Sequence, residues 1–311
     1  MMNLRFTALF FIGLLLWGTG CSKDDGTDEN GAFTIYAVTT GADSTFAAEP
    51  VMEPIVVVRN GQYTDPTPKV SDTASTEAFD RATSEAFGRF FVEDKSYFLL
   101  QDGNPNGSVR IVAPDANADP GDAALVSPIK IQAKNFSGAY ALATNVNRFK
   151  DDGRNARSLH ANEVSALLGA ARQEYAKHGV APSLLDSIST NALRAYDLEG
   201  NGRTTIAGDF IIEYRRTNTE GELLTIRDLL FVIAEQENGQ YVFRMAQYGS
   251  MGGEETAGEP TYELLDVLDV NSDGRDEIFV RRTSAASYDY VIYDKQGSAW
   301  KPVYQGGGGG L

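Results

Sequence analysis

Apolar and β-branched residues fall in short runs along the first half of the chain, at 33–38, 54–59, 97–101, 109–114, 129–132 and 140–143. Gly, Asn, Asp and Pro separate the runs, which predicts strands joined by turns. One stretch breaks this rhythm. Phe79, Ala82, Ala86, Phe87 and Phe90 recur at three- and four-residue spacing, which predicts a helix with its apolar stripe in the core. A second helix is predicted from the stripe Val164, Leu167, Leu168, Ala171 and Tyr175. Asn162 is its expected N-cap, His178 suits its last turn, Gly179 its end, and Pro182 stops any continuation. A short helix over 182–188 follows. The strand pattern then returns in two sets, at 193–196, 205–214, 229–235 and 241–247, and again at 263–268, 278–282, 288–293 and 300–304. Gly-containing turns at Asn238-Gly239 and Gln296-Gly297 join the last two strands of each set. The pattern therefore predicts a mainly β chain of antiparallel sheets with a few helices. A helical hairpin at 151–190 divides β-rich regions at 32–150 and 191–305, and a glycine tail occupies 306–311.

The N-terminus reads differently. Arg5, an apolar run over 8–17 and the small residues Gly18-Thr19-Gly20 form the pattern of a signal peptide over 1–20. The run is too short for a permanent membrane span. Cys21, the only cysteine, comes next. Thr19-Gly20-Cys21 resembles the lipobox of bacterial lipoproteins, with Gly18 where a Leu is usual. The resemblance implies that Cys21 becomes the acylated first residue and anchors the protein to a membrane. The polar, acidic stretch over 22–31 reads as a tether. Its Ser22-Lys23-Asp24-Asp25 start resembles the export tag on surface lipoproteins of one large group of Gram-negative bacteria. That implies the outer membrane and the cell surface, with the periplasmic face as the alternative. The formal net charge of −16 repels nucleic acid and attracts cations, which sets nucleic-acid binding aside.

The most informative segment is 266–280. Asp269, Asn271, Asp273 and Glu277 put side-chain oxygens at loop positions 1, 3, 5 and 9; Gly274 permits the turn, and the Arg275 carbonyl can point inward. Calcium takes six to eight hard oxygen ligands, and carboxylates this close repel one another without a cation. Val280 at position 12, Asp276 at position 8 and flanking strands exclude an EF-hand. A D-x-N-x-D-G-x-x-E loop followed by a β-run resembles the FG-GAP and VCBS repeats, where such loops join the first two strands of a propeller blade. The resemblance covers 192–305 and implies blade-like sheets with structural calcium. A weaker copy places oxygens at Asp197, Glu199, Asn201 and Thr205, with the Arg203 carbonyl between the last two. The alternative at both loops is a metal-free turn. Two blades cannot close a propeller. Either the N-terminal strands complete a closed or sandwich-like structure, or the units simply pack as sheets.

Other candidates are weaker. Asp102 to Gly107 looks like a calcium loop, but Arg110 stands where a ligand should be, so a hairpin turn is expected. His160 and Glu163 are spaced to share a helix face, yet His178 is the only other histidine, and a solvated or capping role fits better than zinc. Ser250 lacks the glycine two residues earlier that a nucleophile elbow needs, since Tyr248 is there; residues 249–258 read as a loop. Tyr288, Tyr290, Tyr293, Trp300 and Tyr304 are the candidate recognition surface for a sugar or peptide, or else core and cross-strand pairs. The functional expectation is a membrane-anchored, surface-exposed lipoprotein acting as a calcium-stabilised, non-catalytic binding or structural module, its partner a glycan or protein. The alternative is a polysaccharide hydrolase with two buried carboxyls about 5–9.5 Å apart in a cleft.

Overall fold

The computed structural model describes residues 31–40, 50–68, 75–112, 125–133, 136, 138–151, 156–252 and 259–310. The signal peptide, Cys21 and nearly all of the tether lie outside the described residues. Strand β1 (Phe33–Thr39) sets the plan of the N-terminal half. Phe33, Ile35 and Ala37 fall on one face, Tyr36 and Val38 on the other, and both faces are buried. A strand apolar on both sides needs cover on both sides. One cover comes from the sheet curling on itself. β2 (Val51–Arg59), β4 (Ser96–Gln101), β5 (Asn104–Ile111), β6 (Ser127–Ala133) and β7 (Tyr140–Thr144) join in the antiparallel order β1-β7-β4-β5-β6-β2. Because β2 pairs again with β1, these strands close into a barrel, with β3 (Gln62–Thr64) attached to β2. Closure removes the open edges that an isolated sheet would expose.

The barrel is filled by Tyr36, Met52, Tyr97, Leu99, Val109 and Ile129, and by Phe87, Phe90 and Phe91 at the end of α1 (Thr76–Phe90). The Tyr36 and Tyr97 hydroxyls both donate to the Phe90 carbonyl, at 3.1 and 2.7 Å. Phe79, Ala82 and Ala86 of the predicted stripe stay only half-buried. The helix thus docks chiefly by its C-terminal turn.

A second sheet holds β9 (Arg194–Tyr196), β10 (Thr205–Thr217), β11 (Leu223–Glu237) and β12 (Gln240–Met251), with the short β8 (Ser189–Thr190) also on β10. A third is the antiparallel series β13 (Thr261–Leu268), β14 (Glu277–Thr283), β15 (Ser287–Gln296) and β16 (Ala299–Gly310). Phe231 and Ile233 of the second sheet meet Ile278, Val291 and Trp300 of the third. On its other face the second sheet receives Leu167, Ala171 and Tyr175 of α2 (Ala161–Lys177). The other face of the third sheet, with Leu265, Phe279, Ile292 and Tyr304, packs on Ile35, Ile55, Val56 and Leu142 of the barrel wall. The layers run α2, second sheet, third sheet, barrel. The second and third sheets pack face to face, and the N-terminal strands close on themselves. Among the described residues no helix is long and apolar enough to cross a membrane.

Three local details depart from the sequence reading. The N-cap of α2 is His160, not Asn162, because the Glu163 carboxylate turns back to accept the His160 N–H at 2.8 Å. Residues 182–187 form a 3-10 turn rather than an α-helix. Gly306 to Gly310 extend β16 along β15 instead of forming a loose tail, since Tyr288 and Tyr290 offer a backbone edge for them to pair with.

Candidate functional site

The two acidic loops share one local geometry. In the later loop, Asp269 accepts the N–H groups of Asp273 (3.2 Å) and Gly274 (3.0 Å), and Asp273 accepts that of Arg275 (2.9 Å). In the earlier loop, Asp197 accepts from Asn201 (3.0 Å) and Gly202 (2.9 Å), and Asn201 from Arg203 (2.9 Å). Position 4 is left-handed in both, at Ser272 (φ 63°) and Gly200 (φ 62°), as is position 6 at Gly274 and Gly202. Short polar side chains bonding the backbone two to five residues ahead produce this wrapped turn. The loops also touch, the Asp276 N–H donating to the Leu198 carbonyl at 2.9 Å.

They differ at the remaining oxygen-bearing positions. Glu277 is wholly buried and turns back over its own loop, accepting from Val270 N at 2.9 Å and from the Asn271 side-chain amide. Burial pushes its carboxyl up to about 8, and Asp269, Asp294 and Asp273 add to the rise. The barrel reaches this loop twice. Tyr63 donates to Glu277 at 3.2 Å, and Arg148 bonds the Val270 carbonyl and the Ser272 hydroxyl. Asp273 is turned aside, its second oxygen paired with Arg275 at 3.0 Å. In the earlier loop, Lys295 contacts Glu199 and also Glu235 at 2.9 Å, so an internal cation already sits at position 3. Thr205 there is a strand residue opposite Tyr196.

The other candidates resolve without a site. Asp102 and Gly103, at φ 52° and 78°, make the tight β4–β5 turn. Glu163 caps α2 and binds Arg157 through both oxygens at 2.8 Å. Ser250 lies in β12 opposite Asp228. Tyr288, Tyr290, Tyr293, Trp300 and Tyr304 are all buried, so they are core and form no recognition surface.

A cavity that the sequence reading missed lies where β13 meets the barrel and the second sheet. It encloses about 260 Å³ and is lined by Asp102, Arg194, Tyr196, Asp209, Glu263 and Asp266, among others. Asp209 and Asp266 are 0% and 3% exposed, and Asp209 Oδ1 and Asp266 Oδ2 have no hydrogen-bond partner. Asp266 Oδ1 accepts from Val267 N at 2.8 Å and Gly103 N at 3.1 Å. Burial pushes Asp209 up to about 7, with Glu263 adding, and Asp266 up to about 8, with Asp102 adding. Gly208 makes the arrangement possible. At φ +134° it lies so close to the crossing chain that a Cβ would come 2.4 Å from the Ala192 carbonyl, and that approach brings Asn191 onto Asp209. The available signal was a lone acid inside an apolar strand, as in Ile206 to Ile212 and Leu264 to Leu268, because aspartate is almost never fully buried without a partner.

No family model, curated protein or solved structure matches this chain.

Proposed function

We propose that this chain is a lipid-anchored protein of a Gram-negative outer membrane, facing the cell surface and working as a calcium-stabilised, non-catalytic binding or structural module. Its anchor is acylated Cys21, and its ligand a glycan or a protein. The observation behind the calcium assignment is the loop from Asp269 to Glu277, where a fully buried glutamate is surrounded by three further acids. Asp269, Asn271, Asp273, the Arg275 carbonyl and Glu277 are the residues that would hold the ion. Each carboxylate oxygen keeps lone pairs beyond those used by the backbone.

The residues would fit calcium once two side chains turn, Asp273 away from Arg275 and Glu277 away from the Tyr63 and Asn271 donors. Among the described residues no three acidic, histidine or cysteine side chains converge on one point, and Asp273 faces Arg275. That ion pair is solvent-accessible, and such pairs are worth about 1 kcal/mol or less, so a divalent cation displaces it at little cost. At the Asp197 loop the internal cation Lys295 reduces what calcium can add. An ion at the later loop would stiffen the segment that Tyr63 and Arg148 tie to the barrel.

Calcium added to chelator-treated mature protein should raise the melting temperature by roughly 5 °C at a hundredfold excess over Kd. Asp269→Ala should remove the shift and Asp197→Ala only part of it. An unchanged melting curve with calcium rules the clamp out. Intact-mass measurement should find acyl groups on Cys21, absent in Cys21→Ser.

A second reading, a hydrolase using paired carboxylates, is favoured by one observation. Buried Asp209, raised to about 7, shares the cavity with Glu263. The cavity's 260 Å³ is small beside ligand pockets of roughly 300–1,000 Å³, and a glycosidase must hold a sugar on each side of the cleaved bond. Release of reducing sugar from a polysaccharide, lost in Asp209→Asn, would decide for hydrolysis.

A further inference from the structure

We propose that the cavity between β13, the second sheet and the barrel binds a primary ammonium group, on a small organic molecule or on the amino-sugar end of a glycan, making it the ligand site of the binding module inferred above, a reading on which this proposal rests. Two unpartnered acceptors carry the argument. Asp209 Oδ1 and Asp266 Oδ2 belong to side chains that are 0% and 3% exposed and that form part of the cavity wall. A buried acceptor without a donor is costly, so the cavity calls for a molecule that brings N–H or O–H groups.

Charge selects between those two. Asp102, Asp209, Glu263 and Asp266 line the space, and Arg194 is the one cationic side chain among the lining residues. Arg281 offsets Glu263 from behind Tyr140, which donates to Glu263 at 3.3 Å and accepts from Arg281 at 3.2 Å. With the four acids ionised, the state that a bound cation favours, the balance is negative. A neutral polyol would supply donors but leave that charge uncompensated, whereas an ammonium supplies three donors and a positive charge together. The carboxylates are spread around 260 Å³ rather than gathered on one point, which suits an organic cation better than a bare metal ion. The volume admits a small molecule or the end of a longer one. A short diamine and an amino sugar share this chemistry.

The test is isothermal titration of the full mature protein with putrescine, with D-glucosamine, and with D-glucose as the control, beside the calcium melting shift described above. At least one amine should bind, and Asp209→Asn and Asp266→Asn should each weaken it by roughly tenfold or more. The amine that binds more tightly identifies the source. Asp102→Asn, at a half-exposed position, serves if either buried variant fails to fold. Equal binding of D-glucose overturns the ammonium assignment in favour of hydroxyl recognition. Amine binding that survives all three substitutions is diffuse attraction to an acidic surface and overturns the site. Amine binding that is absent while the calcium shift persists removes this proposal and leaves the calcium clamp standing. A lost calcium shift with amine binding intact does the reverse.

Discussion

Glu163 takes four hydrogen bonds from three parts of the chain. Arg157 supplies two, Tyr241 of β12 donates at 2.8 Å, and His160 gives its backbone N–H. The Arg157 hydrogen bonds hold its carboxyl down near 2, against the cost of burial. One side chain thereby caps α2, fixes the entering segment and pins the helix to the second sheet. Glu163→Gln keeps the shape but loses the charge, and it should cost roughly 1.5–3 kcal/mol, read as a lower urea midpoint. A loss under about 0.5 kcal/mol would mean that the cap is a surface ion pair with little energetic weight. Spacing in the sequence paired Glu163 with His160 and favoured a solvated or capping role over zinc. Arg157 and Tyr241 could not be foreseen, being brought in by tertiary packing.

Strand β16 ends in glycines because its partner comes unusually close. Gly308 has φ +81°, and a Cβ there would lie 2.1 Å from the Tyr288 carbonyl. Gly310, by contrast, has 4.0 Å of room. Gly308→Ala should therefore detach the last pairings of the third sheet, at a cost of roughly 1–3 kcal/mol, and perturb the near-ultraviolet dichroism of Tyr288 and Tyr290. Gly310→Ala should leave both unchanged. Equal behaviour of the two variants would show that the glycine run is a free end. In the sequence the run reads as a glycine tail that holds structure only if neighbours pin it, because glycine carries no apolar pattern to reveal a strand. Its order is imposed by β15 and by the barrel, where the Tyr304 hydroxyl bonds the Ile55 carbonyl at 2.7 Å.

Across the whole molecule, buried acids set the response to pH. Burial raises Asp209 and Glu53 to about 7 and Asp266 to about 8. The native state holds these protons more tightly than the unfolded chain, whose carboxyls titrate near pH 4. Their contribution is complete below about pH 4 and is lost as pH rises through about 7 to 8. Glu163 works in the opposite sense, its contribution lost as pH falls from about 4.5 through 2. Calcium-free protein should thus be most stable near pH 4–5, with urea midpoints falling toward pH 8. Asp266→Asn should flatten the upper limb. A stability maximum at or above pH 8 would contradict the assignment.

Local patterning by itself determined the mainly β class, both helices, the tight turns and the wrapped form of the two acidic loops. These depend on contacts a few residues apart, which the chain writes into adjacent positions. Closure of the N-terminal strands into a barrel was not legible, because β1 meets β2 and β7 through backbone pairings that any extended strand can make. The order of layers was equally hidden, since alternation shows which faces are apolar but not which faces meet. The contrast between the loops came from Lys295, which approaches Glu199 from another strand. The cavity with Asp209 and Asp266 exists only where three sheets converge. A lone acid in an apolar strand can be seen in the sequence, but the cavity around it also takes residues more than fifty positions away, such as Glu263 beside Asp209 and Asp102 beside Asp266, and only packing brings them together.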